Sequence, residues 1–379
     1  MSEFKNLPSG WKVVKLEKVA PLQRGYDLPT DNIKEGLYPV VYSNGILRFH
    51  NEFKAKGPGV ITGRSGTIGK VVYVEEDYWP HNTSLWITNF YDNNPKFIYY
   101  MYINLNLARF SAGSGVPTLN RNDIHAQTIP LPPLDEQEKI AEILSTWDEA
   151  INLTINLIES KKQFKKALMQ NLLTAKVRFP EFKDEWIEVT IGELFEFKKG
   201  QGLSKEMLDT NGKFECVLYG ELYTTYDEII ENVKSRTNFQ GSIKSKFDDI
   251  LIPSSTTTGS IDIAIAAVIL KNDVLLGGDI NILRKKRNNI YGKFVAYCIT
   301  NIKNKELSSY AQGTTIIHLY AKDFKDMKIK LPNLKEQQKI AEVLTACDDE
   351  INLLNLKLEN LKKQKQGLMQ KLLSGKARI

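Results

Sequence analysis

Two stretches of the chain carry apolar residues spaced alternately four and three positions apart, which leaves one narrow stripe of a helix apolar and the rest polar. In the first stretch the stripe runs through Ile140, Leu144, Trp147, Ile151, Thr154, Ile158, Lys161, Lys165, Leu168 and Leu172. In the second it runs through Ile340, Leu344, Cys347, Ile351, Leu354, Leu358, Leu361, Lys365, Leu368 and Leu372. This spacing predicts coiled-coil helices, the first with a partly polar seam at Thr154, Lys161 and Lys165. Each helix follows a Leu-Pro pair and opens on Asp135 and Glu136, or on Glu336, where negative charge suits the helix N-terminus. Each closes among Lys176 and Arg178, or Lys376 and Arg378. About 40 residues at ~1.5 Å rise predict helices of roughly 60 Å.

The stretches are copies of one another. LPPLDEQEKIAEIL from Leu131 recurs as LPNLKEQQKIAEVL from Leu331, and 24 of the 48 positions in 131–178 are identical in 331–378. A fainter duplication surrounds them: Trp11, Val14 and Leu16 match Trp186, Val189 and Ile191, Arg24-Gly25 matches Lys199-Gly200, and Lys96-Phe97 with Tyr100 matches Lys293-Phe294 with Tyr297. Gly113, Leu119 and Asp123 likewise match Gly313, Leu319 and Asp323. Between these anchors, residues 60–74, 248–270 and 273–284 are β-branched runs broken by Gly, Ser and Thr, which predicts strands and turns. The fold class expected is α+β: mixed α/β domains at 1–130 and 179–330, each followed by a spacer helix at 131–178 and 331–379. If the helices pair, the second runs back along the first, giving an antiparallel coiled coil with a pseudo-two-fold axis and one domain at each end. Two unlike surfaces held at a fixed separation suit an asymmetric target with two halves and an unread gap.

Composition narrows the field less. The 379 residues carry a formal net charge of +6, which permits a nucleic-acid partner without requiring one. Three cysteines (Cys216, Cys298 and Cys347) and four histidines form neither a disulfide framework nor zinc-ligand spacing, pointing to a reducing, cytoplasmic compartment and no metal. The start MSEFKNLPSGW has no signal-peptide pattern, and no apolar run approaches the ~18 residues of a membrane span.

Three motifs together resemble the specificity subunits of type I restriction-modification systems. They are L-P-x-L-x-E-Q-x-K-I-A-E-x-L at the opening of each helix, L-M-Q-x-L-L at each close, running into Thr174-Ala175-Lys176 or Ser374-Gly375-Lys376, and W-x-x-V-x-L or W-x-x-V-x-I at the start of each domain. The resemblance covers the whole chain in order. It implies that each globular domain is a target-recognition domain reading one half of a bipartite site in double-stranded DNA. It also implies that the helices space the domains and dock two methyltransferase subunits, with restriction (motor-nuclease) subunits joining the assembly. On the same resemblance this chain holds no cofactor; S-adenosylmethionine, ATP and magnesium belong to the partner subunits.

No catalytic constellation stands in the sequence. GRSGTIGK (63–70) has its glycines one residue too far apart for a phosphate loop, and Val71 occupies the magnesium-binding Ser/Thr position, so a glycine-rich turn is expected. The single Pro-Pro pair, Pro132-Pro133, precedes Leu134 and lacks the aromatic of an amino-methyltransferase motif, and the Pro-Asp of a restriction-type nuclease is absent. His50, His81, His125 and His318 have no Cys or Ser nucleophile close in sequence.

Residues able to contact phosphates and base edges in the divergent loops are candidates for reading DNA. In the first domain these are Arg24, Arg64, Ser65, Thr67, Lys70, His81, Asn82, Ser114 and Arg121. In the second they are Lys198, Lys199, Gln201, Ser254, Ser255, Thr256, Thr257, Arg284, Lys285, Lys286 and Arg287. The RKKR run (284–287) reads equally as a solvated turn, and the Ser/Thr run as a polar turn. Trp11 and Trp186 read as core anchors. On the helices Glu136, Gln137, Lys139 and Glu142, and their equivalents Glu336, Gln337, Lys339 and Glu342, are kept in both copies although the seam does not require them; two equivalent partner-docking faces are expected there, with shared ancestry as the rival explanation. Two other readings stay open: a coiled-coil scaffold binding proteins at both ends, and a standalone enzyme such as a nuclease.

Overall fold

The computed structural model describes residues 7–112 and 115–378. The chain divides into two compact units, residues 1–156 with 355–379, and residues 157–354. Each unit therefore contains one globular head, the opening part of the long helix that follows it, and the closing part of the other long helix. The helices run Leu134–Leu172 and Leu334–Leu373. Every position of the predicted stripe, the lysines included, is buried or half-buried in both helices.

Both heads are built to the same plan. In the first, strands Leu22–Arg24, Ser84–Ile87, Gly59–Gly63 and Val71–Val74 lie side by side in that order. In the second the order is Phe195–Lys199, Ile280–Lys285, Asp249–Pro253, Ala267–Ile269 and Ile229–Ile230. Each head adds a three-stranded sheet with one parallel pair, Tyr38–Tyr42 beside Trp79–Pro80 in one and Phe214–Val217 beside Leu275–Leu276 in the other. The run 60–74 thus splits around a turn. The run 248–270 departs from expectation, because residues 257–266 leave the ladder: Asp262 N–H donates to the Gly259 carbonyl in a turn, and Ile263 and Ala264 are buried in the core instead of pairing.

The first and last strands of each head pair antiparallel, Lys12–Lys15 with Thr128–Leu131 and Ile187–Thr190 with Lys328–Leu331. This clasp delivers the chain to the start of its helix, where two side chains sew helix and head together. The Trp11 indole donates to Glu136 Oε2 at 2.9 Å; Trp186 donates to Glu336 Oε2 at 3.2 Å, and Arg178 forks onto both Glu336 oxygens at 2.9 and 2.8 Å. Gln137 donates to the Pro132 carbonyl and Asn93 Oδ1 and accepts from the Asn94 amide. Gln337 donates to the Pro332 and Asn289 carbonyls and accepts from the Tyr291 amide. Glu136, Gln137, Glu336 and Gln337 are all buried, which corrects their assignment to an outward docking face: they bond the head's own indole, amides and carbonyls, and only Glu136 Oε1 lacks a partner among the described residues, where Arg178 serves Glu336. Lys139, Glu142, Lys339 and Glu342 are exposed.

The cores mirror one another. In the first unit Ile140, Ala141 and Leu144 join Phe97, Ile98 and Tyr100 of the head and Met369, Leu372 and Leu373 of the other helix; in the second, Ile340, Ala341 and Leu344 join Phe294, Tyr297, Met169, Leu172 and Leu173. Within each unit the helical segments run antiparallel. Arg178 meets Glu336, Lys165 meets Asp348 and Lys161 meets Glu350, partner numbers rising as these fall. In the other unit Lys365 Nζ lies 2.5 Å from Asp148 Oδ1, and Glu136 and Gly375 both approach Trp11. The tyrosine hydroxyls of Tyr100 and Tyr297 donate to the same aspartates at 2.7 and 2.6 Å.

Two stability predictions follow from these contacts. Ala175 ends the first helix at φ 58°, where Gly375 stands at φ 72° in the second. Ala175→Gly is expected to raise stability by about 1 kcal/mol, the cost of a left-handed non-glycine residue. Gly375→Ala should lower it by more, because its Cβ would also come within 2.7 Å of Pro8 Cδ; thermal unfolding of both variants checks the opposite signs. Lys165 answers two carboxylates, Asp348 at 2.5 Å and Glu228 at 3.8 Å, whereas Lys365 answers Asp148. Lys165→Met strands two half-buried charges and is expected to cost about 3 kcal/mol, with Lys365→Met costing less; equal losses in denaturant titrations would contradict this accounting.

Candidate nucleic-acid interface

In the first head most of the candidate residues converge on the ends of three neighbouring strands. Arg64 and Ser65 follow Gly59–Gly63, and both backbone amides donate to the Thr83 carbonyl, at 2.8 and 3.2 Å. The Arg64 side chain is braced by Nε donating to the Asn82 carbonyl at 2.9 Å. Asn82 Nδ2 donates to Asp27, which also faces Arg24 at 3.5 Å. Lys70 is exposed and donates to the Asn44 carbonyl at 2.6 Å. Gly63 permits this crowding, since a Cβ there would lie 1.8 Å from the Thr67 carbonyl oxygen. Thr67 is exposed, and Arg121, also exposed, opens a short helix two residues after Leu119, whose amide donates to the Arg64 carbonyl. Ser114 lies outside the described residues.

His81 is part of the scaffold of this face. Its ring packs 4.3 Å from Tyr42, Nδ1 meets Thr83 Oγ1 at 2.9 Å, and burial lowers its pKa against a smaller upward pull from the Leu28 backbone and Asp27. His50 and His125 accept backbone amides from Lys34 and Leu22. The Cys216 thiol is pushed up by burial to about 11 and that of Cys298 to about 12.

The second head presents the same framework with different side chains. Ser254 takes the place of Arg64: its amide donates to the Asp279 carbonyl, as Arg64 donates to Thr83, and its carbonyl accepts from Leu319, as that of Arg64 accepts from Leu119. Ser255 pairs with His318 as Ser65 pairs with Thr118. Lys199 and Gly200 take the place of Arg24 and Gly25, because Lys199 is opposite Asn281 and Arg24 opposite Leu85 at the same end of the sheet. Lys199 lies 3.8 Å from Asp279, and Gln201 accepts from Ser242 Oγ at 2.9 Å. Lys198 and Thr257 are exposed, while Ser254, Ser255 and Thr256 are buried and shape the loop from beneath.

The RKKR run does not belong to this face. Arg284 and Lys285 sit at the opposite end of strand Ile280–Lys285, across from Glu196 and Phe195. Arg284 forks onto Asp249 at 2.9 and 2.6 Å, and Lys285 reaches Asp248 at 2.8 Å. Lys286 donates to the Gly192 carbonyl and Arg287 is exposed. Two buried aspartates neutralise the first two cations, so Arg284 and Lys285 are corrected from phosphate contacts to internal ion pairs, while Lys286 and Arg287 stay exposed at that far end of the strand.

Sequence reasoning missed the hairpin tip at Ser43 and Asn44. Ser43 N–H donates to Thr83 Oγ1 and the Asn44 carbonyl anchors Lys70, which places the tip inside the face. The signal was present in part: Ser43-Asn44-Gly45 are turn-forming residues, and the loop between Tyr38–Tyr42 and Gly45–His50 is Ser43-Asn44, with Gly45 at φ 118° opening the second strand.

Among the described residues no helix is long and apolar enough to cross a membrane. The sequence model of the type I restriction modification DNA specificity domain matches residues 8–160 and 183–363. The MjaVIII specificity subunit of a type I restriction enzyme from Methanocaldococcus jannaschii is 27% identical over 283 residues, covering 70% of this chain and 66% of that one. The MjaIX specificity subunit of the same organism is 23% identical, covering 100% of this chain and 97% of the relative. The crystal structure of the type I restriction-modification S subunit from M. genitalium shares the fold at a TM-score of 0.66, with 18% identity and 98% of each chain covered. A duplicated head on duplicated helices, matched twice by one domain model across most of its length, makes this chain a member of the type I restriction-modification DNA specificity subunit family.

Proposed function

We propose that each head reads one half of a bipartite DNA site through the strand-end face just described, the two long helices pairing as an antiparallel coiled coil that fixes the unread gap. The observation that carries this reading is the equivalence of Arg64 and Ser254: one backbone framework, held by the same pair of hydrogen bonds, carries a guanidinium in one head and a buried serine in the other, so the two faces offer different groups. On this reading Arg24, Arg64 and Lys70 meet phosphates and base edges in the first half-site, and Lys198, Lys199, Gln201 and Thr257 contact the second. The exposed Lys139 and Glu142, with Lys339 and Glu342, are the docking candidates that survive for two methyltransferase subunits. Methyl transfer and ATP-dependent cleavage, with S-adenosylmethionine, ATP and magnesium, fall to the partner subunits in the cytoplasm, and this chain supplies the choice of site.

Methylome sequencing of cells with and without the protein tests the reading: one bipartite motif should vanish. Replacing the first head between its clasp strands should rewrite one half of that motif and leave the other half intact, whereas a change in both halves would sink independent reading. At finer grain, Arg64→Ala in the assembled complex is expected to cost about 1–3 kcal/mol on the cognate duplex and to relax choice in one half-site only. Lys70→Ala should weaken all duplexes alike and reduce the salt slope by about one. Competition binding against half-site variants at several salt concentrations separates the two outcomes.

A further inference from the structure

We propose that Asp148 and Asp348 are positioning residues that set the spacing at which the two half-sites are read; the inference rests on the reading of the heads given above. Each carboxylate joins three segments of its own unit. Asp148, on the first long helix, accepts from Tyr100 of the head at 2.7 Å and from Lys365 of the other helix at 2.5 Å. Asp348 accepts from Tyr297 at 2.6 Å and from Lys165 at 2.5 Å. The lysines also sit over the tyrosine rings at matching distances, 5.1 Å for Lys365 over Tyr100 and 5.2 Å for Lys165 over Tyr297. Heads that diverge across their loops keep this polar geometry, as they keep the one at the helix start.

The placement of the carboxylates along the helix gives them their role. Each head is already pinned at its helix start through Glu136 and Gln137, or Glu336 and Gln337. The core contacts of Ile140 to Leu144, and of Ile340 to Leu344, extend this attachment over the first turns of the helix. Asp148 lies twelve residues beyond Glu136, about 18 Å along the axis, and a second attachment at that distance fixes the angle of the head on its helices. Because the third member comes from the other helix, the same bond that fixes this angle also fixes the register of the two helical segments. A slip of the other helix by one heptad would set Leu358 or Leu372 against Asp148 and leave the aspartate and Tyr100 without their lysine.

The test uses the assembled methyltransferase complex and duplexes carrying both half-sites with the native gap, one base pair fewer and one more. The wild-type complex is expected to favour the native gap by on the order of 100-fold, the scale of a misplaced reacting group. Asp148→Asn and Asp348→Asn should narrow this preference to within about tenfold while the half-site sequences read remain the same. Tyr100→Phe and Tyr297→Phe remove one oxygen each and should shift the preference in the same direction, and they carry the test if the aspartate variants do not fold. Variants that lose rate equally on all three duplexes, with gap preference intact, overturn the proposal and leave the aspartates as stabilising contacts only. A wild-type complex that modifies no bipartite site overturns the reading of the heads, and this proposal with it.

Discussion

A lysine ammonium in a helix seam must find a carboxylate, and that requirement governs how this chain assembles. Lys165 and Lys365 occupy stripe positions that apolar side chains would fill more cheaply, and each meets the aspartate seventeen residues before the other, Asp348 and Asp148. Because the helices are copies offset by 200 residues, the two pairs exchange under the duplication, and each unit satisfies its own pair with antiparallel helical segments. Buried polar groups of this kind are best attested as devices that select register. Their cost is lowered here by the tyrosine hydroxyls, which satisfy the second oxygen of each carboxylate.

From that register follows the composition of each unit. The apolar patch at the start of one helix is too short to close a core alone, and it is completed by the end of the other helix, Met369 to Leu373 in one unit and Met169 to Leu173 in the other. Neither head owns a complete core without a segment distant in sequence. The divergent loops lie away from this junction, on the strand ends, so side chains such as Arg64 and Ser254 are free to differ while the clasp strands and the helix starts stay the same.

The burial of Glu136, Gln137, Glu336 and Gln337 shows how a motif retained in duplicate can mislead. Charged and amide side chains off the stripe suggest a solvated or partner-facing surface, yet each of these four bonds the head's own tryptophan indole or its backbone amides and carbonyls. A polar residue can be retained for the donors and acceptors it satisfies indoors as readily as for a partner outside.

The helices, the duplication and the alternation of heads with helices were legible in the sequence because they rest on local periodicity and on self-similarity, which are properties of the chain read in order. The glycine-rich turn at 63–70 and the core role of Trp11 were legible for the same reason. Only the tertiary structure decided that Arg284 and Lys285 are spent on Asp249 and Asp248, and that Ser43 and Asn44 complete the face around Lys70. It also decided that Ser254 stands where Arg64 stands in the other head, and that the seam lysines meet aspartates about 180 and 220 residues away. The partner of a charge or of a strand end is set by packing between segments remote in sequence, and no local pattern encodes which of many carboxylates a given cation will meet.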